Sequence, residues 1–175
     1  SSRTEYDWRG RKTFESYPVD GAPDRGSIAL GVSTARDALG RTVSTTQSSE
    51  LGNLVTTTQY LPGGTLNTTD AKGNTTSSRF QMLDEPSYDN IVRVDAPEGV
   101  TQTIARDTYG NPLSLSQGGI TKTMVYDGDH RLCRSSEPET GSEVQGYDGA
   151  GNLVWSVSGL PFNGVGCGYD DAGVA

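Results

Sequence analysis

Aspartate, two free residues, then glycine: this spacing recurs along the chain at intervals that leave room for little besides β-hairpins. It occurs in "YDWRGRKT", "RDALGRTV", "TDAKGNTT", "RDTYGNPL", "YDGAGNLV" and "YDDAGVA". The pairs are Asp7 with Gly10, Asp37 with Gly40, Asp70 with Gly73, Asp107 with Gly110, Asp148 with Gly151 and Asp170 with Gly173. Three weaker copies stand between them. Ser49 lies three residues before Gly52, Tyr88 and Asp89 open a copy with Val92 in the glycine position, and Tyr126 and Asp127 open one with His130 there. From Asp70 onward the aspartates follow one another at 19, 18, 20, 21 and 22 residues. A period of about 20 is short for a helical repeat and fits one hairpin plus its return turn.

The residue types explain the spacing. An aspartate that opens a turn accepts hydrogen bonds from the backbone two residues on. A glycine three residues later takes positive φ without a Cβ penalty and closes a type I turn with a G1 bulge. The residue after it, usually Arg or Asn, begins the outgoing strand. The aspartates therefore read as turn formers rather than catalytic acids. Tyrosine precedes the aspartate at Tyr6, Tyr88, Tyr126, Tyr147 and Tyr169. Its ring reads as part of a buried stripe, against the competing reading of a ligand-stacking surface.

A second set of turns lies about midway between the aspartates, in "QYLPGGTL", "DAPEGVTQ", "LSQGGITK" and "SEPETGSE". Two turns per repeat imply two strands per repeat. The intervening runs alternate as half-buried strands do. Leu153, Trp155 and Val157 share one face, and Leu113 and Leu115 share another. "NLVTTTQY" and "GGTLNTTD" read as two arms of one hairpin. "SIALGVSTARDALG" comes nearest to helical periodicity, but Gly31, Gly40, Val32 and Thr34 argue against a helix. The expected fold is all-β, with antiparallel hairpin repeats forming a long curled sheet. At two strands per copy there are roughly 16 strands, about 75 Å across, and open sheets beyond about ten strands curl or split.

Composition sharpens this. Hydrophobic residues are 32% of the 175, below the usual globular share, so a thick core is not expected. Thr, Val and Tyr favour strands. A net charge of -8 with scattered basic residues argues against nucleic acid, which needs clustered Lys and Arg. No apolar run reaches membrane-spanning length, and "SSRTEYDWRG" does not read as a signal peptide. Cys133 and Cys167 make no disulfide framework. Two unrelated thiols are the favoured reading over a single pair.

Other conspicuous residues have plainer readings. Asp127, Asp129 and His130, with Cys133 nearby, match neither an EF-hand loop nor a zinc pattern. A turn in which His130 replaces glycine is simpler than a metal site, and nothing marks an oxyanion site for a His130–Cys133 nucleophile pair. Recurrent carboxylates could form a glycosidase pair, but turns account for them. Trp8 and Trp155 could stack on sugars; Trp155, alternating with Leu153 and Val157, reads as core. No catalytic, metal or cofactor site is expected, and no enzymatic activity.

The Tyr-Asp…Gly-Arg/Asn unit at a period near 20, with Pro/Gly return turns, resembles the YD repeats of RHS (rearrangement hot spot) proteins. "YDGDHRLCRSSEPETGSEVQGYDGAGNLVWSVSGL", from Tyr126 to Leu160, is especially similar. The likeness covers residues 1–175 as one repeat region, weaker over 1–68 and clearer over 69–175. It implies similarity to the shells of Tc toxin C components and teneurins, in which repeats wind a long antiparallel sheet into a hollow cocoon. In bacterial members the shell encloses a C-terminal toxin domain, often released by aspartyl self-cleavage at Asp-Pro motifs. This chain contains no Asp-Pro dipeptide and shows neither the self-cleaving core nor a toxin domain.

On that resemblance the chain is expected to be a structural segment of a larger shell, exported to the cell surface or beyond by a specialised route. Its partners would be neighbouring repeats and the enclosed toxin domain, with self-association through open sheet edges. A surface binding module for carbohydrate or protein is the alternative.

Overall fold

A computed structural model describes residues 2–21, 24, 29–83, 87–162 and 166–167. Among them are fourteen strands: β1 (Thr4–Tyr6), β2 (Lys12–Ser16), β3 (Gly31–Arg36), β4 (Thr42–Ser49), β5 (Gly52–Leu61), β6 (Thr65–Thr69), β7 (Thr75–Phe80), β8 (Ile91–Asp95), β9 (Thr101–Arg106), β10 (Pro112–Gln117), β11 (Ile120–Tyr126), β12 (Leu132–Glu137), β13 (Gly141–Tyr147) and β14 (Leu153–Leu160). They form one open antiparallel sheet in strict chain order, each strand beside its successor. The described residues contain no helix, and none that could cross a membrane. The chain divides into two compact units, Ser1–Ser77 and Ser78–Ala175.

Short loops dictate this order. The β4–β5 hairpin closes on Glu50 and Leu51, with Ser49 opposite Gly52. The β10–β11 hairpin closes on Gly118 and Gly119, with φ of 59° and 85°. Two consecutive positive φ values give the turn whose twist matches the flanking strands. The arms "NLVTTTQY" and "GGTLNTTD" do pair, as β5 and β6, with Thr57 opposite Thr69 and Tyr60 opposite Leu66. The nearest helical candidate is strand β3, leading into a turn and β4.

A lone sheet leaves both faces wet, and burial is accordingly thin. Phe80, Cys133 and Val144 are the buried apolar side chains among the described residues. The ladder, the turns and cross-strand pairs hold the rest. In the first unit Thr34, Thr45 and Thr56 stand abreast across three strands. β-Branched neighbours of this kind contribute about 0.2–1 kcal/mol per pair.

Three sequence expectations are corrected. Ser49–Gly52 is not an aspartate-type turn but the end pair of a two-residue hairpin loop. The Tyr88–Asp89 copy is not a closed turn either: without glycine at Val92, Asp89 instead accepts a hydrogen bond from the Ser87 hydroxyl, and Tyr88 packs edge-on against Phe80. Cys133 and Cys167 are not unrelated thiols. They form a disulfide with Cα atoms 5.4 Å apart, because the chain after β14 returns to β12, a proximity that a spacing of 34 residues cannot reveal.

Candidate functional site

The recurring feature is the aspartate turn, and its six complete copies share one geometry. In each, the aspartate carbonyl accepts from the N–H three residues on: Gly10 to Asp7, Gly40 to Asp37, Gly73 to Asp70, Gly110 to Asp107, His130 to Asp127 and Gly151 to Asp148, at 2.9–3.2 Å. The aspartate N–H donates to the carbonyl of the residue after the glycine position. That pattern requires positive φ at the fourth residue. The glycines supply it, at 76° for Gly10 and 86° for Gly151. His130 adopts 61° despite its Cβ, so it occupies the glycine position of a strained copy.

The side chain completes the turn. Asp148 Oδ1 accepts from the N–H groups of Ala150 and Asn152, each at 2.9 Å, and Oδ2 accepts from the Asn152 amide. Asp70 and Asp107 do the same with Asn74 and Asn111. In the Asp7, Asp37 and Asp127 copies, the guanidinium of Arg11, Arg41 or Arg131 replaces the amide at 2.7–2.8 Å. The partner four residues beyond the aspartate is thus part of the motif. Sequence reasoning saw it only as the start of a strand, although the restriction to Arg or Asn in all six copies was a visible signal.

Every one of these carboxyls is held below the usual carboxylate range. For Asp7 and Asp127 the largest cause is the backbone N–H of Arg11 and Arg131. For Asp70 and Asp148 it is the amide of Asn74 and Asn152. For Asp37 and Asp107 loss of water is the largest single influence and acts upward, but the hydrogen bonds from Arg41 and Asn111 together outweigh it. Carboxylates so engaged are anchored anions and weak bases.

The tyrosines act between repeats. Tyr126 Oη donates to the Pro112 carbonyl at 3.0 Å and Tyr147 Oη to the Leu132 carbonyl at 2.9 Å. Each carbonyl lies five residues beyond the aspartate of the preceding turn. The expected buried stripe is corrected here: these two rings are half-buried and Tyr6 is 61% exposed, because a single-layer sheet has no second layer to cover them. Copies with Arg before the aspartate use another device. Arg36 and Arg106 donate to their own turn's Gly40 and Gly110 carbonyls.

Turns also touch their neighbours within each unit. A side-chain carbon on Gly40 would strike the Arg11 guanidinium, and one on Gly110 the Asn90 amide. The Tyr109 and His130 rings lie 4.1 Å apart, and Arg131 Nη1 donates to the Asp148 carbonyl at 3.1 Å. Arg131 also lies over the Tyr147 ring.

The rival sites resolve into structural contacts. Asp127 is consumed by its turn and Asp129 pairs with Arg131 at 2.9 Å. Among the described residues no group of three or more His, Cys, Asp or Glu could hold a metal. Trp155 lies over Gly146, where a Cβ would meet its ring. It shares a half-buried face with Val157, whereas Leu153 is exposed. Trp8 is 85% exposed, stacked with Arg9. Tyr169, Asp170 and Gly173 lie outside the described residues.

No family model and no curated protein matches the chain. Among solved structures it is similar to a chain of the Photorhabdus luminescens Tc holotoxin pore, at 14% identity and a TM-score of 0.41. That match covers 90% of this chain and 11% of the other.

Proposed function

We propose that this chain is a wall segment of an RHS-type shell in a polymorphic toxin, acting by enclosure rather than catalysis. One observation carries the reading: a sheet of fourteen strands in strict chain order in which, among the described residues, only Phe80, Cys133 and Val144 are buried apolar side chains. Such a sheet suits a wall. Its turns fix each strand to the next, its two faces stay distinct through alternation, and it lengthens by adding repeats. Among the described residues the strands at either end of the order, β1 and β14, pair on one side only, and such edges suit pairing with neighbouring repeats. In the parent protein the wall shields a C-terminal toxin domain until delivery.

Protease protection tests this. A downstream domain inside the intact parent should be cleaved far more slowly than the same domain alone; equal rates would overturn enclosure. The exposed rings of Trp8, Tyr6 and Tyr109 favour the second reading, a carbohydrate- or protein-binding surface module. Specific retention on a glycan array, lost in Trp8→Ala, would support that module instead.

A further inference from the structure

We propose that the return-turn ends of β10–β14 form a binding site for a neutral sugar of two rings, seated in two adjoining troughs on either side of the Lys122–Glu137 ion pair. The first trough, of about 270 Å³, takes polar side chains from Ser135, Thr140, Glu143 and Ser158. The second, of about 480 Å³, is walled by Leu115 and Ile120, with Gln117 beside them. Lys122 and Glu137 line both. The strand pairing opens the space. Ser135 stands opposite Glu143, and Glu137 stands opposite Gly141, which has no side chain to fill the first trough. A Cβ at Gly141 would strike the Leu160 carbonyl, so that position stays bare. At the trough's β14 wall, a Cβ on Gly159 would meet nothing within 4 Å.

The donors and acceptors select the ligand. Lys122 Nζ donates to Glu137 Oε1 at 2.6 Å, and an ammonium has further N–H groups to give. The Lys122 hydrogen bond holds the Glu137 carboxyl below the usual glutamate range, so at neutral pH it is an acceptor. The Glu143 carboxylate and the Ser135 and Ser158 hydroxyls have no hydrogen-bond partner among the described residues. An anionic ligand would meet Glu143, and a cation drawn to Glu143 would lie against the Lys122 ammonium, so either carries a like-charge contact. A sugar hydroxyl is donor and acceptor at once. It donates to Glu143 while a neighbouring hydroxyl accepts from Lys122, and hydrogen bonds to charged groups are the strong ones.

The second trough meets the other need of a sugar. A pyranose ring has a C–H face, and Leu115 and the exposed Ile120 offer apolar surface to cover it. Ligand sites pair an apolar wall with a few placed polar groups, and the two troughs divide those roles across one ion pair. A polar ring and an apolar ring face thus find their matches side by side. The site uses none of the exposed rings of Tyr6, Trp8 and Tyr109, and it needs no enclosed cargo.

The test is saturation-transfer NMR of the intact chain with cellobiose, maltose, lactose and N,N′-diacetylchitobiose, and with propylammonium as a cationic probe. At least one disaccharide should bind with a Kd of about 1 mM or tighter. Glu143→Ala should weaken it about tenfold, the loss of a charge-assisted hydrogen bond. Ile120→Ala should weaken it about threefold, through lost apolar contact. Both side chains are exposed, so neither change removes a buried contact. Trp8→Ala should leave binding as it was. No disaccharide bound at about 10 mM would overturn the site, as would binding that survives both Glu143→Ala and Ile120→Ala or binding lost in Trp8→Ala. Propylammonium bound more tightly than every sugar, and released by Glu143→Ala, would overturn it too, by making the first trough a cation site. Protease protection in the parent does not involve Glu143 or Ile120, so failure of this site and failure of enclosure are told apart.

Discussion

The two units use the same turns and differ in what lies over them. In the first, Asp7, Asp37 and Asp70 close their hairpins as Asp107, Asp127 and Asp148 do in the second. Yet the first unit buries no large apolar side chain among its described residues, and its buried polar side chain is Ser16, which accepts from the Arg3 N–H at 2.7 Å. The second buries Phe80, Cys133 and Val144, with Arg134, Ser136 and Ser142 beside them. Identical turn chemistry therefore yields an ordered sheet with or without a covered face. Turns and ladder specify the strand order, and burial is a local addition, at Phe80 against Tyr88 and around Cys133 and Val144.

The sharpest break of this comparison places a charge at one valine strand position in each unit. Val144→Asp buries an unpaired carboxylate at a site 0% exposed and should cost about 3–5 kcal/mol. Val55→Asp, at 38% exposure in the first unit, should cost less than about 1 kcal/mol. Urea unfolding of both variants decides it; similar midpoints would mean that the covered cluster carries no special weight.

A second experiment examines what the units share. Gly73→Val and Gly151→Val each force a β-branched residue to a φ near 87° with open space around it. Both should lose about 1–3 kcal/mol from backbone strain alone. Gly128→Val, where φ is not positive and space is open, should lose less. Unequal losses at Gly73 and Gly151 in thermal melts would show that the covering also supports its turns.

Smaller is the relief expected at the strained copy. His130→Gly should raise stability by up to about 1 kcal/mol, because glycine meets no Cβ penalty at φ 61°. Loss of the ring contact with Tyr109 offsets part of it, so in a Tyr109→Ala background the gain should be larger.

Acid gives the smallest effect per group, since these carboxylates are at most half-buried and partly screened by water. Their folded values lie below the ordinary 3.8, so the stability they contribute is complete above that value. It is lost as pH falls through the folded values. Asp95 marks the low end, held to about 2 by its hydrogen bonds from Arg93 and then Thr101. Both units should therefore weaken together between about pH 4 and pH 2, and Asp95→Asn should remove the lowest part of the response from the second alone. Loss of one unit well above pH 4 in a circular dichroism titration would contradict this.

Much of the sheet was legible because turns are local. Asp148 and Gly151 need only their neighbours to form their hydrogen bonds, so the five residues from Asp148 to Asn152 determine them. Strand faces were harder to read. The alternation of Leu153, Trp155 and Val157 is real, but alternation does not say whether anything covers a face, and Leu153 proved exposed. The tyrosine hydroxyls were missed because their acceptors, the Pro112 and Leu132 carbonyls, lie in the preceding repeat, and a backbone oxygen has no letter in a sequence. Long-range closure was least legible: the Cys133–Cys167 bond joins positions 34 residues apart, and periodicity carries no information about such a pairing.

The interchange of Arg and Asn opposite the turn aspartate has an electrical consequence. Either side chain satisfies the same Oδ2, but Arg cancels the carboxylate charge and Asn leaves it. Asp7 and Asp37 face Arg11 and Arg41 as neutral pairs, and Asp127 faces Arg131, which Asp129 shares, whereas Asp70, Asp107 and Asp148 face Asn74, Asn111 and Asn152 and each remain at minus one. The row of turns is thus a two-letter code for surface potential, written repeat by repeat on a hairpin that both letters close. A chain built this way can redraw its field, and with it the partners it attracts or repels, without moving a strand.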